Sequence, residues 1–175
     1  MQAGVIAVVL LASLFTASAA PACEGLAGTA GEPLVLIRKP VHGDDVRFTS
    51  GFGLRLHPLL QQRRLHTGID WAAPVGTPVV AAAAGQVVLA EPTGEYGNAV
   101  RIDHGGGWQT LYAQLASYAV REGDCVAVGA VIATVGSTGL SSGPHLHFEV
   151  RRDGRPIDPL SVGVNNEPPE PEDNK

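Results

Sequence analysis

Lysine is all but missing from this chain: of 175 residues only Lys39 and Lys175 are lysines, both outside the central region. That excludes a carrier domain, which needs a lysine at a hairpin tip for its prosthetic group, although the valine-rich segments 76–88 and 123–136 have carrier-like hairpin text. Cysteine is as scarce. Cys23 and Cys125 lack metal-type spacing, and the best expectation is a disulfide from the N-terminal segment to the body, since an exported chain can keep one. Basic charge is not in excess either. Residues 47–161 hold nine basic and nine acidic side chains, and the flanks bring the formal net charge to −5, so nucleic acid finds no electrostatic footprint. Helical periodicity is missing over any three turns, and the one apolar run, about 5–12, is short of the roughly 20 residues of a membrane span.

What is present divides the chain into four parts. Residues 1–20 are small and apolar and end in Ala-Ser-Ala-Ala, the look of a cleaved signal peptide, although no Lys or Arg follows Met1. Pro21, two residues before Cys23, argues against a lipidated cysteine. Residues 21–46 read as a linker with a short edge strand at Leu34–Ile37, residues 47–161 as the folded domain, and 162–175 as an acidic, proline-rich disordered tail. An exported protein, periplasmic or secreted, with no stable membrane span after signal cleavage, is the expectation.

The body carries short valine-rich runs cut by Gly, Pro and Asn. Strands are expected at 78–84, 86–90, 99–103, 109–114, 126–135 and 145–151, with turns at 94–98, 104–107, 122–124 and 137–143. The fold class is therefore all-β and largely antiparallel.

Two short pairs carry the chemistry. In His145-Leu-His147 strand alternation puts His145, His147 and Glu149 on one face, with Leu146, Phe148 and Val150 packed inward on the other. His66 and Asp70 are four apart, so a strand also puts them on one side; Gly68 between them and Pro74 after them disfavour a helix. Catalytic zinc takes three ligands from His and carboxylate and keeps a position for water. Two histidines and Asp70 supply the set, and one histidine remains for proton transfer. A surface His beside a satisfied Asp is the bland reading of either pair alone; the two together favour the metal.

Six segments in matching order extend the reading: Ser50-Gly-Phe-Gly-Leu-Arg-Leu-His-Pro, His66-Thr-Gly-Ile-Asp70, Tyr96-Gly-Asn, Ile102-Asp-His-Gly, Val135-Gly-Ser-Thr-Gly and Gly143-Pro-His-Leu-His-Phe-Glu. From about Arg47 to Ser161 they resemble the lysostaphin-like (LytM-type, duplicated hybrid motif) zinc metalloendopeptidases of bacterial cell walls. The resemblance implies a compact antiparallel β-sheet or sandwich with a metal groove and one Zn2+ on His66, Asp70 and His147. It makes His145 the catalytic base or orienting group and the peptide cross-links of peptidoglycan the substrate and partner.

One position departs from the family, which usually has Tyr-x-His-Leu beside the metal where this chain has Tyr112-Ala-Gln114-Leu. A glutamine amide can donate to an oxyanion but cannot take or return a proton. Gln114 is expected to steady the oxyanion, with Tyr112 as a second candidate beside it, and activity is expected to survive in weakened form. The alternative is a catalytically weakened or inactive module that binds the wall or regulates another hydrolase. Arg55 is a candidate contact for substrate carboxylates. Plainer roles fall to His104 (a structural hairpin residue), His57 (loop or groove wall), His42 (no signal), Ser137, Ser141 and Ser142 (loop shaping) and Glu149 (hydrogen bonding at a sheet edge).

Overall fold

The computed structural model describes Cys23, residues 39–56 and residues 59–163. The signal-like segment, the edge strand expected at Leu34–Ile37, the acidic tail and His57 lie outside the described residues. Within them the chain forms twelve strands: β1 (Arg47–Ser50), β2 (Gly53–Leu56), β3 (Arg63–His66), β4 (Ile69–Ala72), β5 (Pro78–Val80), β6 (Gly85–Pro92), β7 (Asn98–Asp103), β8 (Trp108–Tyr118), β9 (Cys125–Val126), β10 (Val131–Val135), β11 (His145–Arg152) and β12 (Arg155–Ile157). Single 3₁₀ turns at Gly94–Tyr96 and Pro159–Val162 are the only helical pieces among the described residues, and none is long and apolar enough to cross a membrane.

Ten strands make one sheet in the order β1-β4-β11-β8-β7-β6-β9, with β10 joining β5 to β8 and β12 flanking β11; β2 and β3 form a separate hairpin. Every pairing is antiparallel. The all-β antiparallel expectation holds, with corrected limits. The run expected at 126–135 is two strands interrupted by a turn, and β8 continues beyond Gln114 to Tyr118.

β11 is the strand that positions the site. Leu146, Phe148 and Val150 are fully buried, and Phe148 packs between Trp71 and Tyr112 at ring-centroid distances of 6.1 and 5.3 Å. Truncating such a ring costs about 3–5 kcal/mol, so one face of β11 is fixed by the core and the histidines on the other are aimed by it. The packed body also starts earlier than Arg47. Val41 is fully buried and bridges Val79, Val80 N–H donates to the Pro40 carbonyl at 2.8 Å, and Cys23 is bonded to Cys125 with a Cα–Cα distance of 5.6 Å. The end of the segment expected to be a linker is core.

Candidate metal centre

His66 and Asp70 meet by a different route from strand alternation. His66 closes β3 and Asp70 lies within β4, with a bend at Thr67–Gly68 between them. Gly68 is required there, because a Cβ would collide with the Phe148 carbonyl. β4 pairs with β11 so that Asp70 stands directly opposite His147. All three side chains are buried.

Their ligand atoms converge. His147 Nδ1 lies 2.8 Å from Asp70 Oδ1, His66 Nε2 lies 3.1 Å from the same oxygen, and the two nitrogens are 3.1 Å apart. The tautomers follow from the far side of each ring. His66 Nδ1 is 2.7 Å from the Gly51 carbonyl, which only accepts, so Nδ1 carries the hydrogen and Nε2 of the neutral ring presents a lone pair. His147 Nε2 is 3.1 Å from Glu149 Oε1, so Nε2–H donates there and Nδ1 presents the second lone pair. Asp70 Oδ1 is the third. Three lone pairs facing one another repel unless a cation stands among them. Bonds of about 2.0–2.2 Å to zinc would set such atoms about 3.3 Å apart, close to the spacing present. The donor set fits the metal.

The electrostatics agree. Burial alone would raise the Asp70 pKa, but hydrogen bonds and charge from His147 and His66 hold the carboxyl well below its ordinary range. Burial alone would lower that of His147, yet the contacts with Asp70 and Glu149 push it up to about 9. A proton and a metal ion compete for the same place, as linkage between metal binding and ligand deprotonation requires.

Glu149 is no edge residue, contrary to expectation. Its strand runs between β4 and β8, and the side chain is fully buried. It accepts from His147, Thr67, Tyr96 Oη (2.7 Å) and Arg151 Nε (2.7 Å). Burial would raise its pKa, but His147 first, then Thr67 and Tyr96, bring it down to about 2. The carboxylate thus fixes the His147 ring and ties it to the cleft wall that Tyr96 forms.

His145 lines the same cleft as His66, Asp70 and His147, half-buried, outside the three-atom cluster. Its Nδ1 is 2.8 Å from the Gly143 carbonyl and 3.2 Å from Ser141 Oγ. Ser137 Oγ donates to Ser141 Oγ at 2.9 Å, and Ser142 lines the adjoining hollow, so these serines shape the loop entering β11.

Tyr112 requires a correction: it is in the core, fully buried, with its hydroxyl accepting from Ala82 N–H at 2.8 Å, and it does not line the cleft. The cause is a bulge in β8. Asn98 pairs with Leu115 and Val100 with Tyr112, so Ala113 and Gln114 of β8 stand opposite Ala99 alone in β7, and Gln114 has a left-handed φ of 64°. Tyr112 and Gln114, two apart, therefore face opposite sides. Gln114 lines the cleft, but its Oε1 accepts from Gly139 N–H (2.7 Å) and its Nε2 donates to the Glu95 carbonyl (3.1 Å), which also accepts from Leu140 N–H (2.8 Å). The amide bolts two loops of the cleft wall together, leaving at most one N–H for an oxyanion.

Arg55 Nη2 reaches Asp70 Oδ2 at 3.4 Å and Arg55 lines the cleft. Arg64, Thr67 and Tyr96 also lie at the site and escaped the sequence reading. Tyr96 sits in a quoted motif and was within reach; Arg64 had no signal. His104 is structural: it is buried, with Nδ1 on the Ala84 carbonyl (2.7 Å) and Nε2 on Thr110 Oγ1 (2.8 Å).

Comparison with known proteins gives a consistent picture. Residues 64–159 match Peptidase family M23. The DD-carboxypeptidase/endopeptidase Mpg of Neisseria meningitidis is 53% identical over 118 residues, 67% of this chain and 27% of that protein. The peptidoglycan DD-endopeptidase ShyA of Vibrio cholerae is 38% identical over 119 residues, covering 67% and 28%. The chain thus spans under a third of these relatives' length. A zinc-containing peptidase from Vibrio cholerae superposes with a TM-score of 0.66 at 36% identity, over 72% of this chain and 39% of that one. The catalytic domain of lysostaphin from Staphylococcus simulans gives 0.61 at 30% identity, over 67% and 92%.

Proposed function

Since this chain belongs to peptidase family M23, we propose that it is a zinc-dependent endopeptidase cleaving the peptide cross-links of bacterial peptidoglycan. The observation that carries this reading is the convergence of His66 Nε2, Asp70 Oδ1 and His147 Nδ1 in one buried cluster at the floor of a cleft. Relatives named as DD-endopeptidases support a D,D cross-link as the scissile bond.

His66, Asp70 and His147 would hold the zinc ion, which when bound supplies Lewis acidity to polarise a carbonyl and acidify water. The chain's own residues do the rest. The Gly143 carbonyl holds the hydrogen on His145 Nδ1, so Nε2 keeps its lone pair and serves as the general base. Gln114 cannot take or return a proton, so proton transfer rests on His145, while the Gln114 amide keeps the opposite wall in place. Arg55 steadies the outer oxygen of Asp70, Glu149 the far nitrogen of His147 and the Gly51 carbonyl that of His66, so all three holding groups are oriented before any ligand arrives. We place the reaction outside the cytoplasm: the first twenty residues have the composition of an export signal, and a Cys23–Cys125 bond persists in oxidising compartments.

Digestion of purified peptidoglycan tests the reading. Zinc-loaded protein should convert cross-linked muropeptide dimers to monomers, a chelator should stop it, and added zinc should restore it. A protein that holds stoichiometric zinc, binds the wall and releases no monomers would instead be the non-catalytic wall-binding module.

A further inference from the structure

The hairpin of β2 and β3 stands over the metal centre with two unlike faces. Leu54 pairs directly with Leu65, 68% and 49% exposed, whereas Arg55 pairs directly with Arg64, and both arginines line the cleft. Like charges opposed across a strand pair are destabilising, and here each is met from the cleft side. Arg55 Nη2 reaches Asp70 Oδ2 at 3.4 Å, and Arg64 reaches both Glu95 oxygens at 3.0 and 3.4 Å. Neither contact saturates its guanidinium. Arg55 Nε is buried without a hydrogen-bond partner. Arg64 and Glu95 are both well exposed, and pairs of that kind are weak enough to exchange readily. The four charged groups Arg55, Arg64, Asp70 and Glu95 cancel, so a divalent cation on the cluster leaves this cleft with a formal charge of +2. A charge of that sign beside two planar guanidinium forks is built for a carboxylate, which a fork binds through two parallel hydrogen bonds.

We infer that Arg64, with Arg55 beside it, determines specificity by binding a free carboxylate on the substrate peptide next to the scissile bond, the substrate carboxylate replacing Glu95 on Arg64. This rests on the peptidase reading and narrows its substrate class to peptides whose carboxyl group at that position is neither amidated nor esterified.

The test uses two synthetic cross-linked peptides that differ only in that group, a free carboxylate in one and a carboxamide in the other. Calorimetry on the chelator-treated full chain measures binding without turnover, and the zinc-loaded protein then gives kcat and KM. The acid should bind roughly fivefold tighter than the amide, the scale of one exposed charge pair. Arg64→Gln should bring the ratio to about one, chiefly through KM. Glu95→Gln, which releases Arg64, should tighten the acid and leave the amide unchanged; this gain does not depend on how well the Arg64 variant folds. Cleavage of both peptides with equal affinity, or no response to either substitution, overturns the inference and leaves the peptidase reading standing. Neither binding nor cleavage of either peptide removes both.

Discussion

Two of the buried histidines, His104 and His147, have polar surroundings that are opposites. His104 sits among groups whose hydrogens and lone pairs match: Ala84 carbonyl on one nitrogen, Thr110 hydroxyl on the other, and Thr110 in turn 3.0 Å from Tyr112 Oη, which Ala82 N–H caps. His147 sits among acceptors: Asp70 on one nitrogen, Glu149 on the other, and the lone pair of His66 beside it. Burial prevails at His104 and lowers its pKa, with the Ala84 and Asp103 contributions opposing; at His147 the carboxylates prevail and raise it. A buried polar cluster that balances is structure. One with a surplus of acceptors aimed at a point is a place for a cation.

Exchange of each ring for a methyl group gives the largest contrast. His147→Ala should abolish both stoichiometric zinc and cleavage, and with them the stabilisation that bound zinc confers. Zinc at about 100 times its Kd should raise wild-type stability by about 2.7 kcal/mol, and the His147 variant should lose that increment. His104→Ala should do the reverse, costing about 2–4 kcal/mol through two orphaned buried groups and a cavity, yet keeping the zinc increment. Metal analysis with chemical unfolding in the presence and absence of zinc measures all four quantities; a His104 variant that loses zinc, or a His147 variant that keeps it, ends the distinction.

Glu149 and Gln114 sharpen the boundary between the two kinds of cluster. Of the holding groups Glu149 touches only His147, so Glu149→Gln should weaken zinc binding about 10–100-fold in chelator competition while the three proposed ligands remain. Gln114 lines the cleft yet belongs with His104, because both ends of its amide are matched. Gln114→Ala should therefore cost about 1–3 kcal/mol of stability with zinc affinity unchanged. A loss of metal there would put Gln114 in the wrong class.

How much of this was legible beforehand depends on how far each feature reaches along the chain. The β11 pattern was legible in full, because alternation is local: His145, His147 and Glu149 on one face, Leu146, Phe148 and Val150 on the other. The convergence of His66, Asp70 and His147 was legible as a set of residue types but not as geometry, since the Thr67–Gly68 bend and the β4–β11 register create it. Tyr112 was misplaced because a bulge cannot be read from Tyr-Ala-Gln-Leu. Alternation puts Tyr112 and Gln114 on one side, and only the pairing of two residues with one reverses it. Arg64 was invisible for the same reason: its meaning comes from Arg55 across the hairpin and Glu95 across the cleft, neither near it in a pattern.

The smallest expected effect is the pH dependence of the balanced cluster. Above about pH 6.5 His104 is neutral in both folded and unfolded chains, and its titration contributes nothing to the difference between them. As pH falls through that value the unfolded chain takes up a proton, while the buried ring resists until its own lowered pKa is reached. The unfolded state binds more protons over this window, so stability must fall with falling pH and level off below it. His104→Gln, which cannot titrate, should give a shallower decline than wild type below pH 6.5 and the same slope above it. Denaturant midpoints of the two proteins, measured side by side across that range, isolate the term from the carboxylates both share. Parallel curves throughout would mean that His104 takes its proton as easily inside the fold as outside, and that its cluster is not balanced as a neutral one.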